Sequence, residues 1–174
     1  GDHYYFRKCE PYEGSSRIPL LIQASQEFGF QSGLQCKQPV CLEDIMPTIL
    51  DSAGISIPEY VDGQSLIPIA RGEKTEIRKW LHGEHAPCYS QNQAYHFLTD
   101  GNMKYIWRPS DGSEQLFDLD KDPKELCNLA KYESNKNKVE IWRQRLIEQL
   151  KGRPEEFTDG NVLFPGRVYK PVLS

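Results

Sequence analysis

The chain has 174 residues, 38% hydrophobic and 26% charged, with a net charge of −4. That is enough apolar material for a core hiding roughly 70% of the surface the unfolded chain would expose. Lys and Arg are interspersed with Asp and Glu, so nothing tracks a nucleic-acid backbone, and no apolar run approaches the roughly 20 residues needed to cross a bilayer.

Residues 1–17 are polar and punctuated by glycine, and 18–22 form an apolar run with the length of a buried strand. No basic-then-apolar leader follows Gly1, so no signal peptide is read here. Residues 25–38, rich in Ser, Gln and Gly, follow neither period and read as an irregular excursion. Leu42, Ile45, Ile49 and Leu50 then recur at helical spacing, with Pro47 inside the span and Gly54 placed to end it. A Pro- and Gly-marked connection over 58–74 leaves room for a short helical turn up to Arg71.

Beyond it the pattern turns strand-like. Residues 79–82 are one candidate, and 94–99 and 103–107 flank Asp100-Gly101-Asn102, a hairpin signal. Met103, Tyr105 and Trp107 alternate with Lys104, Ile106 and Arg108, so one covered face and one wet face are expected. A turn at 109–112 leads into 115–118, which extends the meander. Ser134 is placed to cap a helix running to Lys151, with Val139, Trp142, Leu146 and Leu150 on its apolar stripe and Arg143 on the other side. The expected fold is therefore α+β: an antiparallel sheet of about four strands with a long C-terminal helix packed across it, and an extended tail from Arg153.

Five cysteines without a C-x-x-C pair argue against a disulfide framework and a zinc site, and lean towards the cytoplasm. Asp118-Leu-Asp120-Lys-Asp122 has the opening spacing of a calcium loop, but Pro123 stands where glycine must turn and Leu129 where the bidentate glutamate belongs. His82-Gly-Glu84-His85 suggests a metal pair, yet in a strand residues three apart face opposite ways and the sequence offers no third ligand. Structural or substrate-rim histidines are the expectation there.

One segment carries more. Gly1-Asp2-His3, Lys8 and then Tyr12-Glu13-Gly14-Ser15-Ser16-Arg17-Ile18-Pro19 resembles the G-D-H…K…Y-E-G-S-x-R-x-P stretch of sulfatases of the alkaline-phosphatase superfamily. Residues 44–58 are similar to that family's D-I-x-P-T-L-L-x-x-A-G-I-x-x-P helix. Asp62-Gly63-Gln64-Ser65-Leu66 is similar to its D-G-x-S-L, and residues 116–130 to its closing D-L-x-x-D-P-x-E-x-x-N-L-A signature. Four motifs occur in the family's order.

The resemblance implies the C-terminal part of a sulfate-ester hydrolase. Residues 1–35 would be a loop-and-strand remnant of the α/β catalytic domain, and 36–174 the C-terminal subdomain. Lys8 would contact the sulfate group, where a compact ammonium with three donors stabilises charge developing on the ester oxygens. His3, Glu84 and His85 are candidate substrate contacts, and Glu13 and Arg17 are expected to pin the loop. The family's chemistry uses calcium and a formylglycine made from a cysteine in a C-x-[PA]-x-R setting. No cysteine here has that setting, so this piece is expected to hold no cofactor and to be inert alone. The implied partners are a sulfate-ester small molecule or glycan, the N-terminal catalytic domain, and other copies of the chain through uncovered apolar surface. A phosphonate monoester or phosphodiester hydrolase of the same superfamily, and a non-catalytic binding module, are the alternatives.

Overall fold

A computed structural model describes residues 2–5, 9–87 and 90–167. In chain order the principal elements are α1 (Glu13–Ser16), α2 (Ile45–Ser52), α3 (Ile67–Ala70), β1 (Leu81–His85), β2 (Tyr95–Thr99), β3 (Met103–Trp107), β4 (Glu114–Asp118) and α4 (Lys136–Leu150). The chain divides into two compact units, residues 1–18 with 82–174, and residues 19–81. No helix among the described residues is long and apolar enough to cross a membrane.

The first unit is built on a four-stranded sheet in the order β1-β2-β3-β4. β2 and β3 pair antiparallel with Phe97 opposite Ile106, and β3 and β4 with Lys104 opposite Phe117. The hairpin forms where the sequence predicts it, because Asp100 Oδ1 accepts from the amides of Asn102 and Met103 and closes the turn locally. The first strand begins two residues later than expected.

Alternation gives the sheet two faces, and both are covered. Tyr105, Trp107, Leu98 and Leu116 lie on the face that meets α4, whose Val139, Trp142, Leu146, Ile147 and Leu150 are buried. Phe157, past the helix, edges onto Trp107 at 5.6 Å. The opposite face carries Tyr95, Phe97, Ile106 and Phe117 in one cluster, and Tyr12 packs against it. The expected wet face does not exist, because the N-terminal loop covers it and Lys104 is fully buried. Gly83 in β1 is required by close approach, since a Cβ there would sit 2.2 Å from the Phe97 ring.

Two details at α4 also differ from expectation. A 3-10 turn, Glu133–Asn135, precedes the helix, so Ser134 does not cap it. Arg143 is not on a solvent face but forks onto Glu114 with two 2.7 Å hydrogen bonds.

The second unit is irregular around two short helices. No strand forms over 18–22, where Leu21 is 92% exposed. The apolar stripe of α2 and the turn before it is also open: Leu42, in that turn, is 66% and Ile49 60% exposed. Pro47 lies in the first turn of α2, where its missing amide costs no helical hydrogen bond, so no kink results. Polar stitching holds this unit together. The buried Asp44 carboxylate accepts from Arg78 at 2.5 and 2.7 Å, and from the amides of Cys41 and Gln64 at 2.9 Å. Thr48 Oγ1 accepts from the Leu66 amide at 2.9 Å. A Cβ on Gly63 would lie 2.0 Å from the Glu43 carbonyl, so only glycine lets the two segments meet. The D-I-x-P-T and D-G-x-S-L segments are thus two halves of one joint.

Candidate functional site

Lys8 lies outside the described residues, but the loop that follows it is well defined. Its anchor is Lys104. From the middle of β3 its ammonium donates to the Pro11 carbonyl at 2.8 Å and to Ser16 Oγ at 3.0 Å. It also forms ion pairs with Glu13 at 2.6 Å and Glu125 at 3.0 Å. The Glu125 contact is charge proximity without hydrogen-bond geometry, and that oxygen has no hydrogen-bond partner among the described residues. The other Glu125 oxygen accepts from the Glu13 amide at 2.6 Å. Glu125 is buried and holds φ at +54°, a left-handed conformation that a side-chain-bearing residue adopts only when its surroundings enforce it.

The first and last family motifs therefore meet on one buried cation. Asn128 of the closing motif completes the joint, with Oδ1 accepting from the amides of Leu116 and Ala130. Arg108 ties Glu10 at 2.5 Å. Glu13 pins the loop as expected, while Arg17, 76% exposed, adds only a 3.7 Å contact to Glu13.

The structure separates the candidate substrate contacts. His3 belongs to the loop: its Nε2–H donates to the Lys124 carbonyl at 2.9 Å, and its ring stacks on Tyr12 at 3.9 Å. His85 stacks on Tyr95 at 5.5 Å, so it borders the aromatic layer that Tyr12 also touches. Glu84, one residue earlier in β1, faces the other way. Its carboxylate takes two hydrogen bonds from Arg153, at 2.6 and 3.1 Å, and lies 3.3 Å from His96 Nδ1.

His82, two residues before Glu84, shares its face, and His82 Nε2 is 3.2 Å from His96 Nδ1. His85 does not join them, as residues three apart on a strand face opposite ways, and the third donor on this face comes from β2. Desolvation, reinforced by the neighbouring His96, pushes the His82 pKa down to about 4 and keeps that imidazole neutral. The hydrogen bond from His96, opposed by desolvation and aided by Arg153, holds Glu84 well below the usual carboxylate range. Arg153 is gripped in turn by Glu155 at 2.7 Å.

A family model described as N-sulphoglucosamine sulphohydrolase, C-terminal, matches residues 1–152. The chain belongs to this sulfatase family. An arylsulfatase of Clostridium perfringens is 42% identical over 167 residues, which are 95% of this chain and 34% of that protein. Human arylsulfatase K is 37% identical over 139 residues, 74% of this chain and 25% of its own. The chain therefore spans a quarter to a third of the length of these relatives. Among solved structures, a 2-O GAG sulfatase superposes with a TM-score of 0.59 at 25% identity, over 74% of this chain and 30% of that one. A phosphonate monoester hydrolase from Silicibacter pomeroyi superposes with a TM-score of 0.51 at 25% identity, over 73% of this chain and 29% of its own.

Lys104 and His96 escaped the sequence reading. Lys104 sits in a period-2 pattern that reads as solvent-facing, and its partners lie about 90 positions earlier or 20 later. His96 stands inside the aromatic run Tyr95-His96-Phe97, where an imidazole on a packed strand was the available signal.

Proposed function

We propose that this chain is the C-terminal part of a sulfuric ester hydrolase, which in the complete polypeptide cleaves sulfate esters of small molecules or glycans. The observation that carries the proposal is the loop next to Lys8, locked by Lys104, Glu13 and Glu125 onto the sheet of a domain whose curated relatives are arylsulfatases. The lock fixes the polypeptide from Glu10 to Arg17, the stretch that follows Lys8 in the sequence. Lys8 would bind the sulfate oxygens and offset their growing charge as the S–O bond breaks. His85 and His3 border the same aromatic layer, which supports their service to the alcohol portion of the ester.

The family implies calcium and a formylglycine, and the residues present do not fit either. No cysteine has the C-x-[PA]-x-R setting. Among the described residues, the one group of three close donor residues is His82, Glu84 and His96, whose two imidazoles do not suit an ion that takes six to eight oxygens. Both would come from the N-terminal catalytic domain, which we propose as the partner of this segment. The exposed apolar residues of the second unit support such a partner.

The fold is shared with a phosphonate monoester hydrolase, so fold alone does not select the ester. The test uses the polypeptide in which this segment follows a C-x-P-x-R or C-x-A-x-R sequence, assayed with an aryl sulfate, a phosphonate monoester and a phosphodiester. Preferred turnover of the aryl sulfate is expected. Preference for either phosphorus ester would reassign the reaction, and inertness towards all three would leave a binding module. In the same protein His85→Ala is expected to raise KM with little change in kcat, and an unchanged KM across several sulfate esters removes the rim role.

A further inference from the structure

Three side chains on the helix-covered face of the sheet converge on one point. His82 and Glu84 stand two apart on β1, and His96 comes from the neighbouring β2. His82 Nε2 lies 3.2 Å from His96 Nδ1, His96 Nδ1 lies 3.3 Å from Glu84 Oε2, and His82 Nε2 lies 3.9 Å from that oxygen. Such separations are those spanned by ligands each about 2.0–2.2 Å from a shared ion. His82 and His96 are deeply set, at 13% and 3% side-chain exposure, while Glu84 at 44% opens the cluster to solvent.

Protons satisfy this arrangement poorly. A single hydrogen on His96 Nδ1 would have to serve both His82 Nε2 and Glu84 Oε2, while Nε2, on the far side of the ring, is buried with no hydrogen-bond partner among the described residues whether or not a cation is bound. Nδ1 is thus the nitrogen of His96 aimed at polar neighbours. A divalent cation at the meeting point satisfies all three lone pairs at once. The two imidazoles bring nitrogen donors, and Glu84 brings the negative charge. Two imidazoles and one carboxylate form a donor set suited to zinc and its transition-metal neighbours and unsuited to calcium or magnesium.

We propose that His82, Glu84 and His96 form a binding site for a zinc-class divalent cation, with the solvent side of Glu84 open for a water or an exogenous ligand. The site stands on the face of the sheet opposite to the one Tyr12 covers, and does not depend on the ester chemistry. Arg153 is the opposing feature: its guanidinium occupies the outer edge of Glu84 and repels an approaching cation, and Glu155 holds it there. The proposal therefore places Arg153 as the residue that limits affinity.

The test uses the full chain, stripped with chelator and titrated with Zn²⁺ in competition with a chromophoric chelator, then with Co²⁺ for its visible spectrum. One equivalent is expected to bind, with a Co²⁺ spectrum free of a thiolate charge-transfer band. Loss of one ligand in Glu84→Gln, or in His82→Gln, is expected to weaken Zn²⁺ by about ten-fold or more, since even outer-shell losses reach that range. Glu84 is exposed enough for its variant to fold, which circular dichroism checks. Arg153→Gln should bind at least as tightly as the parent, and Cys36→Ser should bind as the parent does. The proposal is overturned by no uptake in the parent, by uptake that Glu84→Gln leaves intact, by a thiolate band in the Co²⁺ form, or by weaker binding in Arg153→Gln.

Discussion

The two units of the chain bury apolar surface to different degrees. In the sheet unit large apolar side chains disappear from solvent: Leu98, Tyr105, Ile106, Leu116, Leu146, Leu150 and Phe157 are all at 0% exposure. In the unit of residues 19–81 Leu66, Ile67 and Ile69 are buried, yet Leu42 in the turn before α2 and Ile45 and Ile49 within it are exposed, and a carboxylate, Asp44, is fully buried. An amphipathic pattern specifies a helix, and it does not guarantee that the helix's apolar partner lies within the same stretch of chain. The two units also carry their ions differently. Lys104 is a cation closed in by two carboxylates and aromatic neighbours, whereas Asp44 is an anion closed in by Arg78 and two backbone amides.

Removing the buried cation should break the first unit most. Lys104→Met strands Glu13 and Glu125, and a loss of about 3–5 kcal/mol in urea unfolding is expected, as for other broken buried pairs. The exposed Lys121, paired only with Asp118 at the surface, should lose little on substitution by alanine. A Lys104→Met loss no larger than that of Lys121→Ala would mean that the loop is held by something else.

The second unit offers the converse test. Asp44→Asn should cost about 3 kcal/mol by stranding Arg78. Its pH dependence has a definite sign. Burial pushes the Asp44 carboxyl up, but hydrogen bonds from Arg78, Gln64 and Cys41 outweigh it, and the folded value falls below the ordinary 3.8. The unfolded chain therefore binds more protons in that window. The contribution is fully present above the ordinary value and is lost as pH falls through the folded one. Acid titration of stability should show this loss in the parent and not in Asp44→Asn.

A smaller effect tests packing in the sheet. Gly83→Ala pushes a methyl against the Phe97 ring and should cost roughly 1–3 kcal/mol by thermal or chemical unfolding. The smallest belongs to the open stripe: Ile49→Gln, at a 60% exposed position, should stay within about 0.5 kcal/mol of the parent. A loss of 2 kcal/mol or more there would show that the stripe is covered in solution and would weaken the contrast between the units.

Much of the sheet unit was legible because its signals are local. The hairpin of β2 and β3 follows from alternation around Asp100-Gly101-Asn102, and the stripe of Val139, Trp142, Leu146 and Leu150 found its sheet. The illegible part is non-local. Nothing near Lys104 announces that Glu13 and Glu125 will enclose it, and nothing near residues 18–22 announces that the run stays irregular and exposed. The four family motifs were visible as patterns, but their work as joints, Asp44 to Gln64 and Glu13 to Glu125, became visible only with coordinates. His82 is weighed in the sequence against His85, and its actual neighbour His96 stays out of view, because strand pairing is not written in either strand alone.

The claim on which the functional account rests is that Lys8 meets the ester's charge from a loop clamped elsewhere. The measurement is kcat/KM for an aryl sulfate in the polypeptide that joins this segment to a C-x-[PA]-x-R sequence, compared between the parent, Lys8→Ala and Lys8→Arg. A fall of about 100-fold or more is expected for Lys8→Ala, comparable to removing one donor from a site that stabilises developing charge, with partial recovery in Lys8→Arg and unchanged unfolding. An undiminished kcat/KM in Lys8→Ala would contradict it.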